Sequence, residues 1–353
     1  MAQLQTTFIT GSLRLPLNPP SASTAPGDSY MWFDTGSNQI VISKLEFGGG
    51  QPAGGGAAVF TTGGGMNNAR RSLATAGNST SAVAFGGQTP TGVGTACTEE
   101  YNGSTWSNAT NMPSGRQDHG AFGTQNAALG FSGISSANSR TSTTYEYNGS
   151  TWGTGGSYLN TMQFVQGTGT QNSGLGAGGA PYTQHFRTGE YNGSSWSNGG
   201  NLTHCRCMAA VTGTQNSALA FGGLSCTVPL LSCTEEYNGT SWSTGGNMNQ
   251  GRFGLGGAGT QNDSVAMTGY VCSPSNASVN NSELYNGATW STSTAVNVRR
   301  CRVGSDGTAG NGILVGGAIR TPSCVFYSCT EEFTQGPAGP GTPNTSSVVH
   351  IHI

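Results

Sequence analysis

Residues 112–152 read MPSGRQDHGAFGTQNAALGFSGISSANSRTSTTYEYNGSTW, and their punctuation decides the architecture. Two short β-rich runs flank the turn Gly123-Thr-Gln-Asn126. After an irregular loop, a third run ends at Tyr147 and is joined through Asn148-Gly149 to a fourth that begins at Trp152. Asn-Gly between such runs is a strong hairpin signal. Both residues tolerate positive φ, and the primed turn they form matches the twist of the flanking strands. The apolar run Ala127 to Phe131 closes on Ser132-Gly133, small residues suited to close backbone approach. No helical period runs through it, so the stretch predicts four short strands.

The same pattern recurs on both sides. Tyr-Asn-Gly-x-x-Trp begins at Tyr101, Tyr147, Tyr191, Tyr237 and Tyr285, 44 to 48 residues apart, and a sixth copy without tryptophan starts at Glu332-Phe333. Gly-Thr-Gln-Asn stands at Gly123, Gly169, Gly213 and Gly259, with degraded forms at Gly77 and Gly307. Four strands at this period are the arithmetic of a β-propeller, here with six copies between about Met66 and Phe333. The second copy resembles a kelch repeat. It has Pro-x-x-Arg-x-x-His-Gly (Arg116, His119, Gly120), an apolar strand running into glycine, and Glu-x-Tyr before tryptophan. It departs in its short Tyr-to-Trp hairpin, in His119, which no other copy shares, and in Ser132 and Thr268 where the first glycine of the pair stands elsewhere. The resemblance implies an all-β, six-bladed kelch-like propeller and says little about activity. The sixth copy stops after its third strand. A propeller protects its open edges, so a segment before Met66 is expected to complete it, either Ala57 to Thr62 or Ile40 to Phe47.

Three regions follow: 1–50 as an extended arm with a β-hairpin, 51–335 as the propeller, and 336–353 as a linker with a short strand. The hairpin sequence PGDSYMWFDTGSNQIVIS (residues 26–43) is similar to short N-terminal modules of bacteriophage tail-fibre and virion structural proteins. That likeness implies a virion location, docking to other virion proteins through the arm, and an oligomer in the particle.

Composition narrows the classes. The 353 residues carry a net charge of −2, only 8% are charged, 59 are glycine, and the single lysine is Lys44. Without a basic run the chain is a poor partner for nucleic acid or anionic membrane. No apolar run approaches the ~18 residues of a membrane helix. The opening MAQLQTTFITGS lacks the basic and apolar regions of a signal peptide, so assembly in a host cytoplasm is expected.

Two charged slots recur. Arg70, Arg116, Arg206, Arg252 and Arg300 stand seven residues before the turn glycine, with Met162 in the third copy. Glu100, Glu146, Glu190, Glu236 and Glu332 precede the aromatic residue, with Leu284 in the fifth. An arginine ring around an anionic ligand is one reading. One-to-one matching favours structural pairing, since buried charges need partners, and Glu190 and Arg252 should then need other partners. The repeated Tyr and Trp read as packing between sheets rather than a sugar platform. Diversity lies in the loops between second and third strands: Gln88 to Ala96, Ile134 to Thr143, Ala180 to Arg187, Leu224 to Ser232, Val271 to Asn281 and Ala318 to Ser323. Loops on a rigid scaffold are where binding concentrates.

Nine cysteines, an odd count, argue against an obligatory disulfide framework, although Cys226 and Cys233 lie close in sequence. Cys205-x-Cys207 beside His204 lacks a second ligand pair at zinc spacing. His350 and His352 alternate on one face of a C-terminal strand; at a threefold axis they would be metal ligands. No other cofactor is expected. Asn-Gly-Ser/Thr is explained by the turn and not by glycosylation. The five histidines share no repeat slot, so the copper-oxidase chemistry of some kelch-like propellers is not expected. The neighbours Glu99-Glu100 and Glu235-Glu236 point to opposite faces of a strand, which excludes a glycosidase pair. A non-enzymatic virion structural protein is therefore expected, a tail fibre or appendage whose propeller loops meet host-surface glycan or protein, or neighbouring subunits. The alternatives are a head decoration protein and an intracellular kelch-type interaction scaffold.

Overall fold

The computed structural model describes residues 29–34, 39–44, 58–181, 185–225, 230–272, 277–319, 324–335 and 348–351. Every regular element among them is a strand. The chain divides into two compact units, Gly55–Pro337 and a second made of Met1–Gly54 with Ala338–Ile353.

The larger unit is a six-bladed β-propeller. Each blade is a four-stranded antiparallel meander. The innermost strands are Ala74–Asn78, Gly120–Thr124, Gln166–Thr170, Ala210–Thr214, Gly256–Thr260 and Gly304–Thr308 for blades 1 to 6. Each abuts the innermost strand of both neighbours, and the circle closes between blades 6 and 1. These strands are rich in Gly, Ala and Thr because six sheets converge at the axis. A Cβ on Gly167 of blade 3 would lie 2.9 Å from the Ala121 carbonyl oxygen of blade 2.

Blade 6 is completed by Ala58–Gly63, which lies antiparallel to Thr330–Gln335 in register from Ala58↔Gln335 to Gly63↔Thr330. Phe60 is buried there with its ring centre 4.9 Å from that of Phe333. Of the two closing segments foreseen, the one next to the propeller does the work. Gln39–Lys44 pairs instead with Ser29–Asp34 and with Val348–Ile351 in the smaller unit, a three-stranded antiparallel sheet.

The repeated residues recur because they join blades. The hydroxyl of Tyr147 donates to Glu100 of the preceding blade at 2.8 Å, and Tyr101, Tyr191, Tyr237 and Tyr285 do the same to Glu332, Glu146, Glu190 and Glu236. The indole N–H groups of Trp106, Trp152, Trp196, Trp242 and Trp290 each donate to a threonine hydroxyl one blade back. Gln125, Gln171, Gln215 and Gln261 of the turn motif each donate to two backbone carbonyls of the preceding blade. Each blade is too small to bury its own faces, and these bonds fix the angle at which neighbours meet.

Candidate binding site at the channel mouth

The arginines of the repeat are not a ligand ring. All five are buried at 0–2% exposure. Four make ion pairs within their own blade: Arg70 with Glu99, Arg206 with Glu235 at 2.6 Å, Arg252 with Glu283 at 2.8 Å and Arg300 with Glu331 at 2.6 Å. The acid is thus the residue before each slot glutamate. Adjacent strand residues face opposite ways, so Glu99 turns to its own arginine while Glu100 turns to the next blade's tyrosine. Arg252 needs no unusual partner, because Glu283 precedes Leu284, and Glu190 is held by Tyr237.

Two blades depart from this pairing. In blade 2 the acid position is Tyr145; the Arg116 guanidinium lies 4.6 Å from that ring and donates to the Thr143 carbonyl at 2.8 Å. Burial pulls the Arg116 pKa down to about 10, against the opposing influence of Tyr145. In blade 3 both charges are gone. Met162 replaces the arginine and Gly189 the acid. Tyr158 fills the space, its Cε2 2.7 Å from where a Cβ on Gly189 would stand. The Tyr158 hydroxyl donates to the Gly176 carbonyl at 3.3 Å, and Arg206 of blade 4 donates to the equivalent carbonyl of Ala220 at 3.4 Å. One blade has therefore exchanged an ion pair for apolar packing without losing that contact.

With the repeated side chains committed between and within blades, the non-repeating ones gather at one end of the central channel. Two residues after each arginine slot stand Ser72, Asp118, Phe164, Met208, Gly254 and Arg302. All six adopt positive φ, between 53° and 59°. Their backbones form a closed hydrogen-bonded circle, each N–H donating to the carbonyl of the corresponding residue one blade back. The distances are 2.8, 3.0, 2.7, 3.3, 2.8 and 2.7 Å, starting with Ser72 donating to Arg302. Left-handed backbone at a non-glycine residue costs about 1–3 kcal/mol and persists where surrounding structure imposes it, often at functional sites. Here the circle imposes it, and the side chains are released to vary.

This circle rims a cavity of about 70 Å³ that opens to solvent and runs inward past Thr75, Gln166 and Ser305. Its rim has two halves. Arg302 reaches across from blade 6, its guanidinium carbon 5.5 Å from the Phe164 ring centre in blade 3. Burial raises the Asp118 carboxyl above the ordinary carboxylate value, while the Arg302 and Arg71 charges oppose it. Facing this polar side, Met208 joins an apolar cluster with Cys207, Phe253, Tyr270 and Cys301. His119, unique to blade 2 in sequence, also lines the cavity. It is buried on Phe85, neither ring nitrogen has a hydrogen-bond partner, and burial followed by the Arg116 charge pulls its pKa down to about 3. It stays neutral and packs.

The variable loops leave the propeller at this same end, since each begins at a bridge to the residue just before a mouth residue, as in Arg71↔Gln88 and Cys207↔Leu224. The segment expected as the loop Val271 to Asn281 is mostly strand. Asp263–Val271 and Ala277–Tyr285 form a long ribbon with a register shift between Met267 and Gly269. Cys233 is a free thiol, not joined to Cys226, which lies outside the described residues; Cys205 is disulfide-bonded. His352 also lies outside the described residues, and His350 is described only by its backbone place opposite Val41. Among the described residues no cluster of three or more His, Cys, Asp or Glu is placed to hold a metal ion.

The mouth was not foreseen from sequence because its six residues share no side-chain type; the only signal is their fixed offset from the arginine slot. Comparison with protein-family models returns no match, and comparison with curated proteins returns none either.

Proposed function

We propose that this chain is a non-enzymatic structural and recognition protein of a bacteriophage particle, a tail fibre or appendage with a kelch-like propeller. The observation that carries the recognition part is the division of labour among side chains. The repeated polar groups join blades to one another, whereas the non-repeating ones rim one channel mouth beside the variable loops. Such a scaffold is rigid and presents one chemically individual face, as a binding module requires. The virion part is supported by the likeness of residues 26–43 to phage N-terminal modules and by a composition poor in charge. In this reading the smaller unit docks on other virion proteins, and the propeller face meets host-surface glycan or protein. Mass spectrometry of purified particles tests it. The protein should be present in stoichiometric amount and removed together with the tail. Presence on tail-less heads would make it a decoration protein, and absence from particles would leave an intracellular interaction scaffold.

A further inference from the structure

We infer that the propeller has one built-in opening joint, the seam between blades 5 and 6, with the closing strand Ala58–Gly63 as its latch. Every seam has an apolar cluster of its own, so the seams differ in their polar clips. Seams 1–2, 2–3, 3–4 and 4–5 each carry four bonds of the repeat: tyrosine to glutamate, tryptophan to threonine, and two from the turn glutamine. Seam 6–1 has Ser79 in place of the glutamine, but keeps Tyr101 to Glu332 and Trp106 to Thr330. It adds the Gly77 N–H to Asp306 at 2.9 Å and the Ser79 N–H to Asn311 at 3.1 Å.

Seam 5–6 has none of the repeat's clips among the described residues. Phe333 stands where other blades carry tyrosine, and Leu284 where they carry its glutamate. Phe60, opposite Phe333 in the ladder, takes the tryptophan position. Ser282 takes the threonine position, and its hydroxyl donates to the Thr294 carbonyl of its own blade at 2.6 Å. Ala309 replaces the glutamine. Both partners of each side-chain pair have changed together, so the loss belongs to the joint and not to one residue. Bonds remain near the axis and the mouth. The N–H groups of Gly257, Gly269 and Arg302 donate to the Ser305 hydroxyl at 2.9 Å, the Arg300 carbonyl at 3.0 Å and the Gly254 carbonyl at 2.7 Å. The seam is thus pinned at the mouth and opens as a wedge from the turn side, where apolar packing holds it. That packing includes the latch. Ala58 and Phe60 join Ala258, Val265 and Met267 of blade 5 and Leu314 and Phe333 of blade 6 in one cluster. Seating the strand and shutting the seam are one event, and displacing the strand opens a local unit while the other seams stay clipped.

The test places one probe in two seams. Val265 and Val83 hold the same position in blades 5 and 1, and both are 0% exposed. Val265→Cys and Val83→Cys therefore put matched thiols into seams 5–6 and 1–2. Labelling of the folded full chain with a maleimide, read by peptide mass spectrometry, measures how often each seam opens. The four bonds present at seam 1–2 and missing at seam 5–6 predict labelling at least about tenfold faster at position 265. Leu284→Glu with Phe333→Tyr rebuilds a charged clip and should slow labelling at 265 by about tenfold. Phe60→Ala should speed it by about tenfold or more and leave labelling at 83 within about threefold. Circular dichroism with the thermal midpoint establishes that each variant is folded. Equal rates at the two probes would overturn the inference. So would a folded clip variant that labels as fast as its parent, or Phe60→Ala speeding both probes alike, which is opening of the whole disc.

Discussion

Replacing Glu235 with alanine leaves Arg206 in place, 1% exposed and without its carboxylate. Breaking a buried ion pair from one side costs about 3–5 kcal/mol, because the remaining charge stays desolvated. At about 1.4 kcal/mol per factor of ten, this is roughly two to three and a half powers of ten in the unfolding equilibrium. Blade 3 supplies the compensating change. The triple variant Leu202→Tyr, Arg206→Met, Glu235→Gly transplants Tyr158, Met162 and Gly189 into blade 4. Exchanging a buried pair for well-packed apolar groups is often neutral or stabilising by about 1–4 kcal/mol, and the introduced glycine costs about 0.5–1 kcal/mol. The triple variant is therefore expected within about 1 kcal/mol of the parent and well above the single variant. The assay is the denaturant midpoint of the full chain followed by tryptophan fluorescence, with recovery on dilution checked, since a propeller of this size can unfold irreversibly. A pH series adds a second readout. Burial alone would raise the Glu235 carboxyl, but Arg206 and the N–H and hydroxyl of Thr203 outweigh it and hold the pKa below the ordinary 4.5. Its contribution is present above about pH 4.5 and is lost as pH falls through the lower folded value; both variants should lack that acid limb. A Glu235→Ala protein within about 1 kcal/mol of the parent, or a triple variant no better than the single one, would refute the reasoning.

Burial, and then the neighbouring blade's carboxylate, push the hydroxyls of Tyr101, Tyr191 and Tyr237 up to about 12 from 10.0. Their contribution is full below pH 10 and declines as pH rises toward 12, so the denaturant midpoint should fall across that window and fall less in a triple Tyr→Phe variant. Phe60→Ala should cost about 3–5 kcal/mol and speed proteolysis of the closing strand, measured as cleavage near residue 60 under native conditions. Asp306 bonds the Gly77 and Gly307 N–H groups, and burial outweighs them to raise its pKa to about 7 from 3.8. A raised carboxyl contributes fully below its unfolded value and loses that contribution up to its folded one. Stability should therefore decline between about pH 4 and 7, and a flatter midpoint-versus-pH curve in Asp306→Asn checks this.

The propeller was legible because its repeats are written in residues with one job each. Asn-Gly needs a turn, Tyr and Trp need a neighbouring sheet, and their spacing counts the blades. The acid partner of each arginine was harder to read. Regularity pointed to Glu100, Glu146, Glu190, Glu236 and Glu332, which serve the tyrosines of the adjacent blade. The true partner position runs Glu99, Tyr145, Gly189, Glu235, Glu283 and Glu331 and is less constant. Its one glycine coincides with Met162, and that coincidence inside the chain was the signal. The mouth leaves only its fixed offset from the arginine slot. Its residues are defined by a backbone conformation that blade-to-blade bonds impose, and any side chain that can be held at positive φ satisfies it.

The register of the closing strand has a mechanical consequence. Ala58 stands opposite Gln335, at the same end of the ladder, so both connections to the rest of the chain leave the disc at one point on blade 6. A load drawn through both connections away from the disc pulls two neighbouring strands in the same direction. It does not unzip them from each other, and it passes on into blade 1 along the backbone that follows Gly63. The first ladders to bear that load are those of a single sheet.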